Sequence, residues 1–265
     1  MHYLSLVTID LPQLSLKLSK SIFEASVLYF RFLSFLFQKK FKKDTIGVPF
    51  FFETTYGSMN IMLFEGSPDV AALKEIFLDG EYDWEGIPNP KVIVDLGAHI
   101  GNTALYFHLK YPQATVYAVE ASPKNYAHLI ENTKDIISIR PIFGAVTDID
   151  GMIRFYESPS SLGSSVVHRE DASHAVEVPC FTLSTLYSRL GLNIVDYMKI
   201  DIEGSEGYLF KDMPPETFSR SYSIEVHDDL MPVSREKFVD AFRHYEIIFQ
   251  KTHNPQRVLL HAKKR

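Results

Sequence analysis

An acid and two glycines open the chemistry of this chain. In VIVDLGAHIGNTALYF (92–107), β-branched apolar residues run into Asp95, Gly97 and Gly101 follow four apart, and a segment of helical character begins. A strand, a tight turn and a helix in that order can hold a ligand at the turn. Roughly 20 residues on, VYAVEASP puts Glu120 at the tip of the next strand, where an acid accepts hydrogen bonds from ribose hydroxyls. A ribose-bearing ligand is therefore expected. The dinucleotide fingerprint needs a middle glycine so that backbone can approach a pyrophosphate, but His99 stands there. A P-loop needs Gly-Lys-Ser/Thr, whereas Gly101 is followed by Asn102 and Thr103. An acid closing the first strand would also repel a pyrophosphate. It suits a ligand that carries an ammonium group and a sulfonium, and S-adenosylmethionine is that ligand. Tyr106 and Lys110 have the Tyr-x-x-x-Lys spacing of short-chain dehydrogenases, but they fall on the first helix, so a nicotinamide oxidoreductase is disfavoured.

A second set of reactive side chains lies later in the chain. Asp201 directly follows the apolar run YMKI, and Glu225 and His227 share one face of SIEVH because strand side chains alternate. All three are expected to meet at the strand ends and to handle the proton of a methyl acceptor. An alcohol is a poor nucleophile at neutral pH and needs a base or a metal ion. Two carboxylates and an imidazole can hold a divalent cation, or His227 can act alone as base with a carboxylate orienting it. No segment has a dedicated metal-ligand spacing, so the metal-free base is preferred. In the competing structural reading, Asp201 and Glu225 cap helices or pair with Lys199 and Arg235.

The elements that must position these groups alternate regularly. Strands are expected at 92–95, 115–119, 138–143, 195–200 and 221–226, with helices at 101–110, 123–132, 183–190, 204–210 and 234–243 between or after them. Such alternation argues for βαβ units and a mainly parallel sheet, with closing strands near 245–250 and 256–261. Residues 151–158 and 175–183 read as added strands around a serine- and glycine-rich loop, SPSSLGSS. Upstream, 49–66 reads as a hairpin turning near Tyr56 and Gly57, followed by a helix over Asp69 to Leu78.

With 265 residues, 46% of them hydrophobic, the chain can bury a full core. A net charge of −6 gives no basic field for nucleic acid. Cys180 is the only cysteine, which excludes an intrachain disulfide and a cysteine-rich zinc site and fits a cytoplasmic setting. The N-terminal run SIFEASVLYFRFLSFLFQKKFKK (21–43) is broken by Glu24 and Arg31 and carries Lys39, Lys40, Lys42 and Lys43 after its apolar part, so neither a membrane span nor a signal peptide is expected. Phe23, Val27, Phe30, Phe37 and Phe41 recur near helical spacing. That face permits docking on its own domain, on a second copy in a homodimer, or peripherally on a membrane surface, and packing on its own domain is preferred.

These motifs resemble the FkbM-type S-adenosylmethionine-dependent methyltransferases. The resemblance runs from EIFLDGEYDW (75–84) to SIEVHDD (223–229) and rests on VIVDLGAHIGN, VYAVEASPKNYAHLIEN, GAVTDIDG and above all MKIDIEGSEGYLF (198–210). His99 stands where that family usually has asparagine. The resemblance implies an α/β class I methyltransferase (Rossmann-like) fold, doubly wound, with a mostly parallel seven-stranded sheet, an antiparallel edge hairpin and an N-terminal extension. The chain's own organisation, regular past residue 45, puts the extension at 1–45 and the catalytic domain at 46–265, with a cofactor core of about 90–230. The resemblance also implies O-methylation of a hydroxyl on a sugar, glycan or secondary metabolite. Asp95, Gly97 and Gly101 would line the methionine moiety with His99 and Asn102 beside them. Glu120 and Ala121 would meet the ribose, and Ala145, after Gly144, would lie near the adenine. The rival reading is a non-catalytic scaffold that kept the cofactor fold.

Overall fold

Continuous apolar runs bounded by glycine and polar turns build the sheet, and helices with their own caps cover it. The computed structural model describes residues 10–41, 46–84, 86–87, 89–158, 164–167, 174–252 and 256–265. Lys42, Lys43 and most of the serine-rich loop lie outside the described residues. Two compact units divide at Asp83/Trp84, downstream of the boundary expected at 45/46.

The first unit holds α1 (Leu11–Lys17), α2 (Ile22–Phe41), the hairpin β1 (Val48–Thr54) and β2 (Gly57–Leu63), and α3 (Ser67–Leu73), which runs into a π-helical turn, Lys74–Leu78. The hairpin register pairs Thr54 with Gly57. Helix α2 docks within this unit through Ala25, Leu28, Phe32, Phe35 and Leu36, all buried. The Phe32 and Phe50 rings stack with centroids 5.0 Å apart, and Phe35 meets Phe50 edge-on at 5.5 Å. The helix therefore packs on its own domain, but not by the face expected. Phe23, Val27, Phe30 and Phe37 point outward, 78%, 54%, 66% and 65% exposed, and the side chain of Phe41 lies outside the described residues. Nearly every turn of α2 offers an apolar residue on both sides, so spacing alone marks two faces equally well, and the aromatic hairpin selects one. Among the described residues no helix is long and apolar enough to cross a membrane.

The second unit contains β3 (Val92–Leu96), α4 (Asn102–Lys110), β4 (Thr115–Glu120), α5 (Pro123–Thr133), β5 (Ile139–Phe143), β6 (Ala145–Val146), β7 (Gly151–Glu157), β8 (His174–Phe181), α6 (Leu183–Leu190), β9 (Tyr197–Ile200), β10 (Ser221–His227), α7 (Arg235–Asp240), β11 (Tyr245–Lys251) and β12 (Arg257–Lys264). Seven strands form one sheet in the order β11-β12-β10-β9-β3-β4-β5. β5, β4, β3, β9 and β10 are mutually parallel, and β12 runs antiparallel to both β10 and β11. This is the expected class I architecture with its antiparallel edge hairpin. The parallel strands are buried on both faces, which is why VIVDL and YMKI read as unbroken apolar runs around single charged residues. β6, β8 and β7 form a separate three-stranded sheet.

Helix starts follow local chemistry. The Ser122, Thr182 and Ser234 hydroxyls accept hydrogen bonds from the backbone N–H groups three residues on, at the starts of α5, α6 and α7. One expectation fails: 204–210 forms only a single 3₁₀ turn, Ser205–Tyr208. Gly204 takes φ +98° and Gly207 interrupts the segment, so a regular helix has little local support there.

Candidate active site

From β3 the chain goes to β4 on one side and returns to β9 on the other, so the strand order reverses at β3. Ligands of open α/β sheets bind beyond the carboxyl ends at such a point. The tips of β3 and β9 approach so closely that a Cβ on Gly97 would lie 1.8 Å from the Asp201 carbonyl oxygen. Gly97 also has φ +80°, so glycine is required twice over. The Gly97 and Ala98 N–H groups both donate to the Val119 carbonyl at 3.0 Å, which ties the turn to β4. His99 takes φ +52°, a left-handed backbone that asparagine and histidine tolerate better than most residues.

Beside this turn, at the carboxyl ends of β3, β4 and β9, opens a cleft. Of the cofactor contacts expected from the sequence, Gly97, His99, Glu120, Ala121 and Ala145 line it, and Asp201, Asn125, Phe155 and Val166 join them. Asp95, Gly101 and Asn102 do not line it. Asp95 is fully buried, accepts a hydrogen bond from the Thr103 hydroxyl at 2.7 Å and lies 3.3 Å from the Lys199 ammonium, so it braces the turn rather than facing the cleft. Gly101 supplies a left-handed residue at the start of α4, and Asn102 is the first, buried residue of that helix.

Glu120 accepts from the His99 and Ser122 N–H groups, each at 2.8 Å. Burial pushes its carboxyl up to about 7 against the pull of those donors. The cap of α5 belongs to Ser122, so Glu120 is not explained by capping.

Beyond β9 and β10 the expected convergence of Asp201, Glu225 and His227 is present. The fully buried His227 has its Nε2 3.8 Å from Asp201 Oδ1, 3.7 Å from Glu225 Oε2 and 3.6 Å from Glu203 Oε2. Its Nδ1 is hydrogen-bonded to Glu206 Oε1 at 2.9 Å. Burial alone would lower the imidazole, but the Glu206, Glu203 and Glu225 carboxylates outweigh it and lift His227 to about 10. The surrounding carboxylates favour the protonated imidazole, which weakens the expectation of His227 as a free general base.

Lys199, Glu203, Glu206 and Arg257 complete the cluster and were missed as site residues. The buried Lys199 ammonium donates to the Gly97 carbonyl at 2.6 Å and lies 3.6 Å from Asp201. Burial opposes its charge, yet Asp95 and Asp201 hold it above its ordinary value. A lysine inside an apolar strand is the sequence signal for such a partner set. Glu203 sits at φ +52°, a strained backbone for a glutamate, and burial raises its carboxyl to about 7. Arg257 Nη2 lies 3.2 Å from Glu203 and Nη1 3.7 Å from Glu225. It carries no local signal, because the β10–β12 register brings it opposite His227. Arg235 pairs with Asp228 instead of either site acid.

Residues 95–253, more than half the chain, match the Methyltransferase FkbM domain. The chain belongs to the FkbM methyltransferase family. S-adenosylmethionine is the cofactor of this family. Methyltransferase 1 of Beauveria bassiana (strain ARSEF 2860) is 28% identical over 155 residues, covering 50% of this chain and 62% of that protein. The match thus spans less than two thirds of that relative. The 31-O-demethyl-FK506 methyltransferase FkbM of Streptomyces tacrolimicus is 26% identical over 190 residues, covering 58% of this chain and 73% of the relative. Among solved structures, Aeropyrum pernix fibrillarin with bound S-adenosyl-L-methionine aligns over 81% of this chain and 93% of its own, with a TM-score of 0.46 and 14% identity.

The donor set of this FkbM-family cleft suits that cofactor. A buried acid at the tip of β4 can accept from ribose hydroxyls, and the Phe155 and Val166 side chains offer apolar surface for an adenine. Asp201 and Glu203, which also line the cleft, offer negative charge to an ammonium or a sulfonium.

Proposed function

We propose that this protein transfers a methyl group from S-adenosylmethionine to a hydroxyl of a sugar, glycan or secondary metabolite, in a cytoplasmic setting. The observation that carries the reading is the meeting of two features at one sheet end: the FkbM-family cofactor cleft, and beside it a half-buried acidic cluster whose member Asp201 lines that cleft. A relative named for 31-O-demethyl-FK506 supports oxygen as the acceptor atom. The cofactor supplies an already activated methyl group, so positioning contributes much of the acceleration. Glu120 and the Gly97 turn hold the ligand, Lys199 fixes the relative positions of the β3 and β9 tips, and the acids at the β9 and β10 tips receive the acceptor hydroxyl. As the carbon–oxygen bond forms and the sulfur–methyl bond breaks, the hydroxyl proton passes to a carboxylate of the cluster or to water.

The test has two stages. Calorimetry with S-adenosylhomocysteine and NAD is expected to show binding of the first alone. A product-mass screen over sugar, glycan and polyketide alcohols is then expected to find an acceptor that gains one methyl group. Binding without transfer to any hydroxyl across the screen would favour the scaffold reading.

A further inference from the structure

An acidic cluster surrounds one buried imidazole at the tips of β9 and β10. Among the described residues, Asp201, Glu203, Glu206 and Glu225 all lie within 4 Å of a His227 ring nitrogen, with Lys199 and Arg257 beside them. Buried charges persist only when they are paired or coordinate a metal. One ligand atom each from Asp201, Glu225 and His227 lies within 4.8 Å of the others. Two of these atoms, His227 Nε2 and Asp201 Oδ1, are buried and make no hydrogen bond among the described residues. A buried ring nitrogen that makes no hydrogen bond, set among the Asp201, Glu203 and Glu225 carboxylates, is costly unless a further partner meets it.

We infer that Asp201, Glu225 and His227 form a binding site for one divalent cation at the tips of β9 and β10. The donors fit such an ion. Imidazole with carboxylates suits Mn²⁺, Zn²⁺ or Mg²⁺ in mixed nitrogen and oxygen coordination. Adjacent ligands of a six-coordinate ion with bonds of about 2.1 Å are roughly 3 Å apart, and the observed 3.7 and 3.8 Å close to that spacing with small side-chain rotations. Glu206 completes the arrangement. Its carboxylate at 2.9 Å from Nδ1 fixes the tautomer that leaves Nε2 for the cation, as carboxylate–histidine–metal triads do. The cation displaces any proton on Nε2, so the imidazole is a ligand and not a base.

The site's part in catalysis rests on the methyl-transfer reading. A hydroxyl oxygen bound to the cation becomes more acidic and releases its proton to water, leaving the alkoxide as nucleophile. The site itself can be tested without that reading.

The experiment titrates metal-stripped full-length protein with Mn²⁺ alone, read by calorimetry and by the electron paramagnetic resonance signal of free Mn²⁺. Binding of one Mn²⁺ per chain is expected, weakened about tenfold or more by Asp201→Asn and by Glu225→Gln. Both residues are only partly buried, and an unchanged circular dichroism spectrum with cooperative thermal unfolding confirms that each variant is folded. No Mn²⁺, Zn²⁺ or Mg²⁺ binding at millimolar concentration, or binding equal in the wild type and both variants, overturns the site. Mn²⁺ binding lost in the variants upholds it even if no acceptor is ever methylated. Methyl transfer that persists undiminished in chelator leaves the functional reading intact and overturns the catalytic role of the cation.

Discussion

Glu120 is the residue on which the proposed cofactor binding turns. Both of its oxygens already accept backbone hydrogen bonds, and a ribose would add donors that favour the charged form. Glu120→Ala is therefore expected to weaken S-adenosylhomocysteine binding by roughly 1.5 to 3 kcal/mol in calorimetry, as for loss of charge-assisted bonds. The pH dependence has a definite sign. In the free protein burial holds the carboxyl at about 7, whereas the bound state prefers the carboxylate, so binding below that pH releases a proton. Affinity should rise with pH up to about 7 and then level off, and Glu120→Gln should flatten the curve. Without ligand the raised carboxyl acts on stability in the opposite direction. Its contribution is present below about 4.3, the unfolded value, and is lost as pH rises through about 7. The melting temperature of Glu120→Gln should therefore fall less over that window than that of the wild type. His99 offers a second test at this scale. Its left-handed backbone should tolerate His99→Asn, whereas His99→Val should cost about 1 to 2 kcal/mol in urea unfolding.

Two elements carry a single decisive side chain each. Strand β9 is joined to the β3 turn by Lys199, whose ammonium reaches Asp95, Asp201 and the Gly97 carbonyl at once. Lys199→Met leaves Asp95 buried without its cation and is expected to cost about 3 to 5 kcal/mol, measured as a shift of the urea midpoint at pH 7. Helix α2 depends on Phe32, which is fully buried against Phe50 and Phe52. Phe32→Ala should destabilise the first unit by about 3 to 5 kcal/mol, while Phe30→Ala, on the outward face, should stay within about 0.5 kcal/mol. Equal effects in denaturation of the two variants would place the buried face elsewhere.

For the molecule as a whole, the described residues that line the cleft lie between Leu96 and Ser205, and they and all seven strands of the main sheet belong to the second unit. Residues 84–265 produced alone are expected to bind S-adenosylhomocysteine within about threefold of the full chain, a difference well under 1 kcal/mol, and a larger loss would assign the first unit a part in the site. The order of elements, the cofactor class and most cleft residues were legible in the amino-acid sequence because they are local: an apolar run fixes a strand, a glycine fixes a turn, and a residue that follows a strand falls at its tip. Glu120 and Asp201 fall at the cleft for this reason, whereas Asp95, at the end of β3, meets Thr103 and Lys199. Only the tertiary structure decided which face of α2 packs, because the helix is apolar on two sides and the hairpin's aromatic surface chooses between them. It alone also brought Arg257 and Glu206 to His227, since antiparallel pairing of β12 with β10 and a one-turn helix set those contacts. An imidazole that reads as a base beside two acids becomes, inside a ring of four carboxylates, a protonated group or a metal ligand, because its charge is governed by neighbours that sequence spacing does not reveal.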